Sequence, residues 1–176
     1  MPTEACRKIF FDTPKMPRNL DISTFLEGGI FILSNKDKMV GALKKIVVPE
    51  LRSRGFKGAF PHFRKQEGQL GYLLSFQFDK WGGGFIIEVG VARVNKEGNV
   101  IVDGIVRPFQ KMNAFHLNNR FRILNNKNGD KDWFKFDNEN QNLEETEFIR
   151  IAKNVLPYLD VAENWFEKIK QKQTAR

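Results

Sequence analysis

The 176-residue chain carries 29 Lys and Arg against 21 Asp and Glu, a net charge of +8, with 41% hydrophobic and 28% charged residues; that balance is globular rather than disordered and at this length predicts one domain with a substantial core. Seventeen Phe supply most of the rings for that core, while no run approaches the roughly 20 apolar residues of a membrane span and no apolar export segment opens the chain. Cys6, the single cysteine, excludes an intrachain disulfide and a cysteine-only zinc site and fits a reducing cytoplasm.

Residues 1–34 contain Pro14, Pro17, Gly28 and Gly29 between short apolar bursts, which predicts an arm or short strands. An α+β core over 35–172 and a frayed tail over 173–176 complete the expected organisation. Ser34 or Asn35 is an N-cap candidate, and Met39, Val40, Leu43, Ile46, Val47 and Leu51 recur at helical steps. Gly55 supplies a C-terminal stop, and Pro49 predicts a kink or break just before it.

From Phe60 to Phe109 the pattern changes to strands, at Gly71–Phe78, Phe85–Arg93 and Asn99–Val106. These segments are rich in branched and aromatic residues and joined by glycine-containing turns. A further strand is expected over Phe115–Leu124. Asn142 with Glu145 resembles a capping box, and Phe148, Ile151, Ala152, Val155 and Leu156 form an apolar helical face that Pro157 should end. Asp160 with Glu163 then starts a second helix with Val161, Trp165, Phe166 and Ile169. The expected fold is therefore α+β: an antiparallel meander of about four to six strands, flanked by an N-terminal helix and two C-terminal helices.

The order of motifs resembles a family known as domain of unknown function 4304. Leu51-Arg-Ser-Arg-Gly-Phe-Lys57 matches its helix end, Phe63-Arg64 its first strand, Ser75-Phe-Gln77 its glutamine-bearing strand, and Phe85-Ile-Ile-Glu-Val-Gly-Val91 the strand ending in Gly-Val. His116-Leu117, Arg120 and Trp133-Phe134 stand at its later positions, and Pro61-His62 departs from its more polar usage. The resemblance covers roughly residues 36–170. It implies an α+β fold and carries no activity.

Charge is segregated along the chain. Residues 36–72 hold nine basic against three acidic residues, 113–135 five against two, and 136–163 two against seven. In the first segment Lys44, Lys45, Arg52, Arg54, Lys57, Arg64 and Lys65 form a basic run able to displace counterions from a phosphate backbone. The bland alternative is a solvated helix face paired partly with the acidic stretch Glu144–Glu147. In the second, Arg120, Arg122, Lys127, Lys131 and Trp133 mix guanidinium and aromatic groups as single-strand nucleic-acid sites do, although strand alternation equally puts the rings in a core. His116, Arg120 and Arg122 with Gln77 and Glu88 would suit an anion. Gly82–Gly84 lacks the Lys-Ser or Lys-Thr and helix start of a nucleotide loop and fits a hairpin turn. His62, His116 and Cys6 have no companion ligands at metal spacing, so no metal and no cofactor is expected.

Three functions remain open. The first is a non-enzymatic module that binds a protein, with toxin neutralisation or regulation as its role. The second is nucleic-acid binding through the basic segments. The third is an enzyme or small-anion binder using His116, Arg120 and Arg122.

Overall fold

The structure is a computed structural model and describes residues 33–127, 130–136 and 143–174. The arm with Cys6, and Asn142 of the expected capping box, lie outside the described residues.

Helix α1 spans Asn35–Ser53. The Ser34 hydroxyl accepts the Asp37 amide at 3.1 Å, satisfying one of the free donors of the first turn. At the other end Gly55 has φ +86°, the Phe56 amide reaches the Leu51 carbonyl (2.9 Å) and the Gly55 amide the Arg52 carbonyl (3.0 Å). This paired closure ends the helix and drops Phe56 onto the same core as Leu51.

The expected break at Pro49 does not occur. Val47 and Leu51 on either side are fully buried, and the proline ring sits on the exposed side. A missing amide bond on the wet side of a helix costs less than withdrawing two packed side chains from the core. The same correction applies at Pro157: one helix, α2, runs unbroken over Glu145–Thr174, where two were expected. Phe148, Ala152, Val155, Leu159, Ala162 and Phe166 are all buried, so the apolar seam keeps its four-and-three step straight through the proline.

Between the helices lie β1 (Lys57–Ala59), β2 (His62–Glu67), β3 (Leu70–Phe78) and β4 (Gly84–Arg93), an antiparallel meander in spatial order. The far edge of β4 pairs with two short strands, β7 (Arg120–Ile123) and β10 (Phe134–Lys135), giving six strands in one sheet. The fold class is α+β, as the sequence predicts. Two small hairpins stand apart from this sheet: β5 (Asn99–Val102) with β6 (Ile105–Pro108), and β8 (Asn125–Lys127) with β9 (Asp130–Asp132).

The single strand expected over Asn99–Val106 is thus a hairpin. Asp103 (φ 52°) and Gly104 (φ 75°) form its two-residue turn, both with the positive φ that matches strand twist. The strand expected over Phe115–Leu124 is also shorter. Phe109–Lys111 and Ala114–His116 are single 3-10 turns, and only Arg120–Ile123 pairs with the sheet.

Alternation divides the sheet into two faces. Phe63, Tyr72, Leu74, Phe76, Phe85, Ile87, Val89, Ile123 and Phe134 face both helices and form the larger core. Phe85 is central, stacked on Phe134 at 5.0 Å and tilted against Phe78 at 5.5 Å. On the other face Leu73 and Ala92 meet Val94, Val100, Phe109, Met112, Ala114 and Leu117 in a smaller core. That layer comes close because two sheet residues are glycine. A Cβ on Gly71 would lie 2.4 Å from the Phe109 ring, and one on Gly90 2.6 Å from Leu117 Cδ1.

Candidate binding surface

The smaller core covers only part of its sheet face, and at its margin a polar row crosses the sheet. His62 pairs with Ser75, Ser75 with Glu88, and Glu88 with Arg122, on β2, β3, β4 and β7 in turn. Directly opposed residues share a face with Cβ atoms about 5 Å apart, so registry alone makes these four side chains neighbours.

The two outer links are bonds, and Ser75 and Glu88 between them are neighbours by register alone. Ser75 Oγ lies 3.0 Å from His62 Nδ1 and accepts the Ala114 amide at 3.2 Å, tying the turn Ala114–His116 to the sheet. Glu88, only 2% exposed, accepts from Arg122 Nε and a terminal nitrogen at 3.2 and 2.9 Å. Arg120 Nε stands 3.2 Å from its other oxygen, an ionic contact without hydrogen-bond alignment. One buried carboxylate thus orients two guanidinium groups, and since both are partly exposed, a net positive charge faces outward.

Lys57 and Arg64 are cross-strand partners on this same face, at the β1–β2 edge. Arg64 Nε is buried and bonded to nothing among the described residues. Burial, followed by the charges of Arg64 and His116, holds His62 below the ordinary imidazole value. The Asn113 amide donates to His116 Nδ1 at 3.1 Å while Asn113 Oδ1 accepts the Phe115 amide at 3.0 Å, so His116 closes its own turn. Phe115 packs edge-on to His62 at 5.6 Å and lies under the Arg120 guanidinium. Gln77 shares the face opposite Ile86, and Trp133 lies beside Gly84.

The predicted basic run is therefore split. Lys57 and Arg64 lie on the face of Arg120 and Arg122, whereas Lys44, Lys45 and Arg52 stay on α1, Arg54 caps it, and Lys65 is on the helix side of the sheet. Arg52 is occupied by the carbonyls of Phe56 (2.8 Å) and Gly58, with its guanidinium over Phe63. Lys44 lies over the Phe60 ring. Arg54 binds Glu50 (2.8 Å), Asp160 (2.7 Å) and Glu163 (3.0 Å), linking α1 to α2. Burial opposes its charge, but the Glu50 and Asp160 bonds and the Glu163 charge outweigh that and raise its pKa. The α2 acids that pair with the run are Asp160 and Glu163, beside Glu50 on α1 and Glu67, which holds Lys65; Glu147 binds Arg150 instead.

Ser75 was legible only as part of a motif and Glu88 only as an anion-site neighbour. The signal for both was a polar residue interrupting an otherwise apolar strand. A second missed feature adjoins the row. The β5–β6 hairpin turns Ile101, Ile105 and Val106 outward at 65, 52 and 59% exposure, and both Asp103 oxygens accept from Asn118 Nδ2 (2.8 and 2.9 Å), two residues before Arg120. Gly82 and Gly83 form the β3–β4 turn, closed by the Asp79 amide on the Gly84 carbonyl (2.9 Å).

Among the described residues no cluster of His, Cys, Asp and Glu could hold a metal ion, and no helix is long and apolar enough to cross a membrane. These features define an α+β domain with helices on one sheet face and a polar row on the other. The family model described as Domain of unknown function (DUF4304) matches residues 47–161, and the chain belongs to that family. No curated protein and no solved structure matches the chain.

Proposed function

We propose that this protein is a non-enzymatic binding module that docks an acidic protein surface across the polar sheet face and the adjoining hairpin. The observation that carries this reading is the junction of two surface types: aliphatic Ile101, Ile105 and Val106 stand on a hairpin anchored next to the strand that presents Arg120 and Arg122. An apolar centre with arginine beside it is the composition of a protein interface, whereas nucleic-acid surfaces are polar and wet. Neutralisation of a toxin or regulation of an enzyme are roles such a module fills. A reducing, cytoplasmic setting belongs to the same reading, supported by the single cysteine.

Single-stranded nucleic acid is the second reading, supported by Phe115 under the Arg120 guanidinium. An enzyme acting on a small anion has less support. Ser75 is fully buried with its hydroxyl engaged twice, His116 Nδ1 is taken by its own turn, and both arginines are held by Glu88.

Affinity capture with tagged full-length protein tests the proposal, run beside Ile101→Asp with Val106→Asp and beside Lys57→Ala with Arg64→Ala. The expected outcome is one acidic protein retained by the parent, lost with the aspartate pair and weakened by the alanine pair. Fluorescence anisotropy with labelled oligonucleotides across a salt series is the opposing arm. Micromolar, salt-sensitive oligonucleotide binding unaffected by the aspartate pair would overturn the protein reading in favour of the second.

A further inference from the structure

Away from the polar row, a cavity of about 290 Å³ opens between α2 and the β8–β10 edge of the molecule. Among the described residues its lining includes three cations, Lys135, Arg150 and Lys153, and no carboxylate. Lys135 is held by Asp132 at 2.7 Å and Arg150 by Glu147 at 2.7 Å, both acids standing outside the lining. Lys153 is in no ion pair among the described residues.

Arg150, Lys153, Asn154, Pro157 and Tyr158 fall at helical steps of three and four, so they form one stripe along α2. Pro157 has no amide hydrogen, and the acceptor deprived by that loss is the Lys153 carbonyl, four residues earlier. The stripe therefore sets an ammonium with no ion pair among the described residues one turn from a proline ring. Two aromatic residues, Phe134 and Tyr158, are in the lining and are held by their contacts. Tyr158 meets Phe134 edge-on at 5.0 Å, and its hydroxyl accepts the Asn126 amide (2.8 Å) while donating to Asn125 Oδ1 (3.1 Å).

We propose that this cavity binds a small, single-ring aromatic molecule carrying an anionic phosphate or carboxylate group. The ring lies against Tyr158 and Pro157 beside Phe134, and the anion meets Lys153 and Arg150. Size supports the single ring, because the volume sits at the lower limit of small-molecule clefts, roughly 300 Å³. The site is separate from the proposed protein-docking face and stands or falls independently of it.

The test is a titration of the ¹⁵N-labelled full chain, followed by amide chemical shifts, with phenyl phosphate and benzoate as probes and inorganic phosphate and benzyl alcohol as controls. Both probes are expected to shift the Asn154 and Tyr158 amides saturably, the tighter one identifying the preferred anion, with each control at least about tenfold weaker. Lys153→Ala combined with Arg150→Ala should weaken the probes about tenfold. Pro157→Ala, which removes a ring from the wall while restoring an amide donor to a helix that already forms, should keep or raise the melting temperature while weakening binding. Absence of saturable shifts with either probe, or unchanged binding in the Lys153/Arg150 variant, overturns the proposal.

Discussion

The two faces of the sheet are built by opposite rules. The helix-covered face is a continuous phenylalanine layer in which Phe85 touches Phe76, Phe78, Phe134 and Phe136, and its charges are spent at the perimeter, Arg54 on α2 acids and Lys170 on Glu67. The opposite face has a small core resting on two glycines and then a row of polar side chains, bonded in pairs, with cations directed outward. Stability is concentrated on one side and chemical character on the other, which is how one six-stranded sheet serves both purposes.

Substitutions sharpen that contrast. Phe85→Ala should have the largest effect, a loss of about 3–5 kcal/mol, because it empties the centre of the larger core; urea unfolding measures it. Gly71→Ala should cost about 1–3 kcal/mol by forcing Phe109 off the sheet, with the larger core intact. Near-ultraviolet circular dichroism retained in that variant, alongside a lower urea midpoint, would show that the small layer yields by itself. Arg54→Ala should cost about 1 kcal/mol or less, since its partners are largely exposed, and the difference from the parent should shrink in high salt.

The smallest effect is set by pH. His62 is held below its ordinary value of 6.5 by burial and by the charges of Arg64 and His116. The unfolded chain therefore takes up a proton near that value that the folded chain still refuses. Stability is full above it and declines as pH falls toward the folded-state pKa. Urea midpoints measured between about pH 7 and 5 should fall in the parent and fall less in His62→Asn. An identical slope in both proteins would remove His62 from the row's energetics.

Much of the architecture was legible because local signals coincided. Ser34 before a four-residue apolar repeat, Gly55 after it, and glycine turns between branched, aromatic runs defined α1 and the meander. Asp103-Gly104 is a strong hairpin dipeptide, and it outweighs the continuous branched run on either side of it. The site was half legible. Arg64, Gln77, Arg120 and Arg122 share one face as registry demands, and the turn tied to Ser75 brings His116 to it, but the α1 basic residues face elsewhere.

The sequence by itself determined the fold class, the helix after Ser34 and the antiparallel pairing of the two long strands, since these follow from periodicity and turn chemistry between near neighbours. Tertiary structure decided what depends on contacts between distant residues. It carried both helices through their prolines, because Val47 with Leu51 and Val155 with Leu159 are each locked in the core on either side. It also set the registry that lines up His62, Ser75, Glu88 and Arg122. No local propensity encodes that row, because each member gains its partner only when a neighbouring strand arrives.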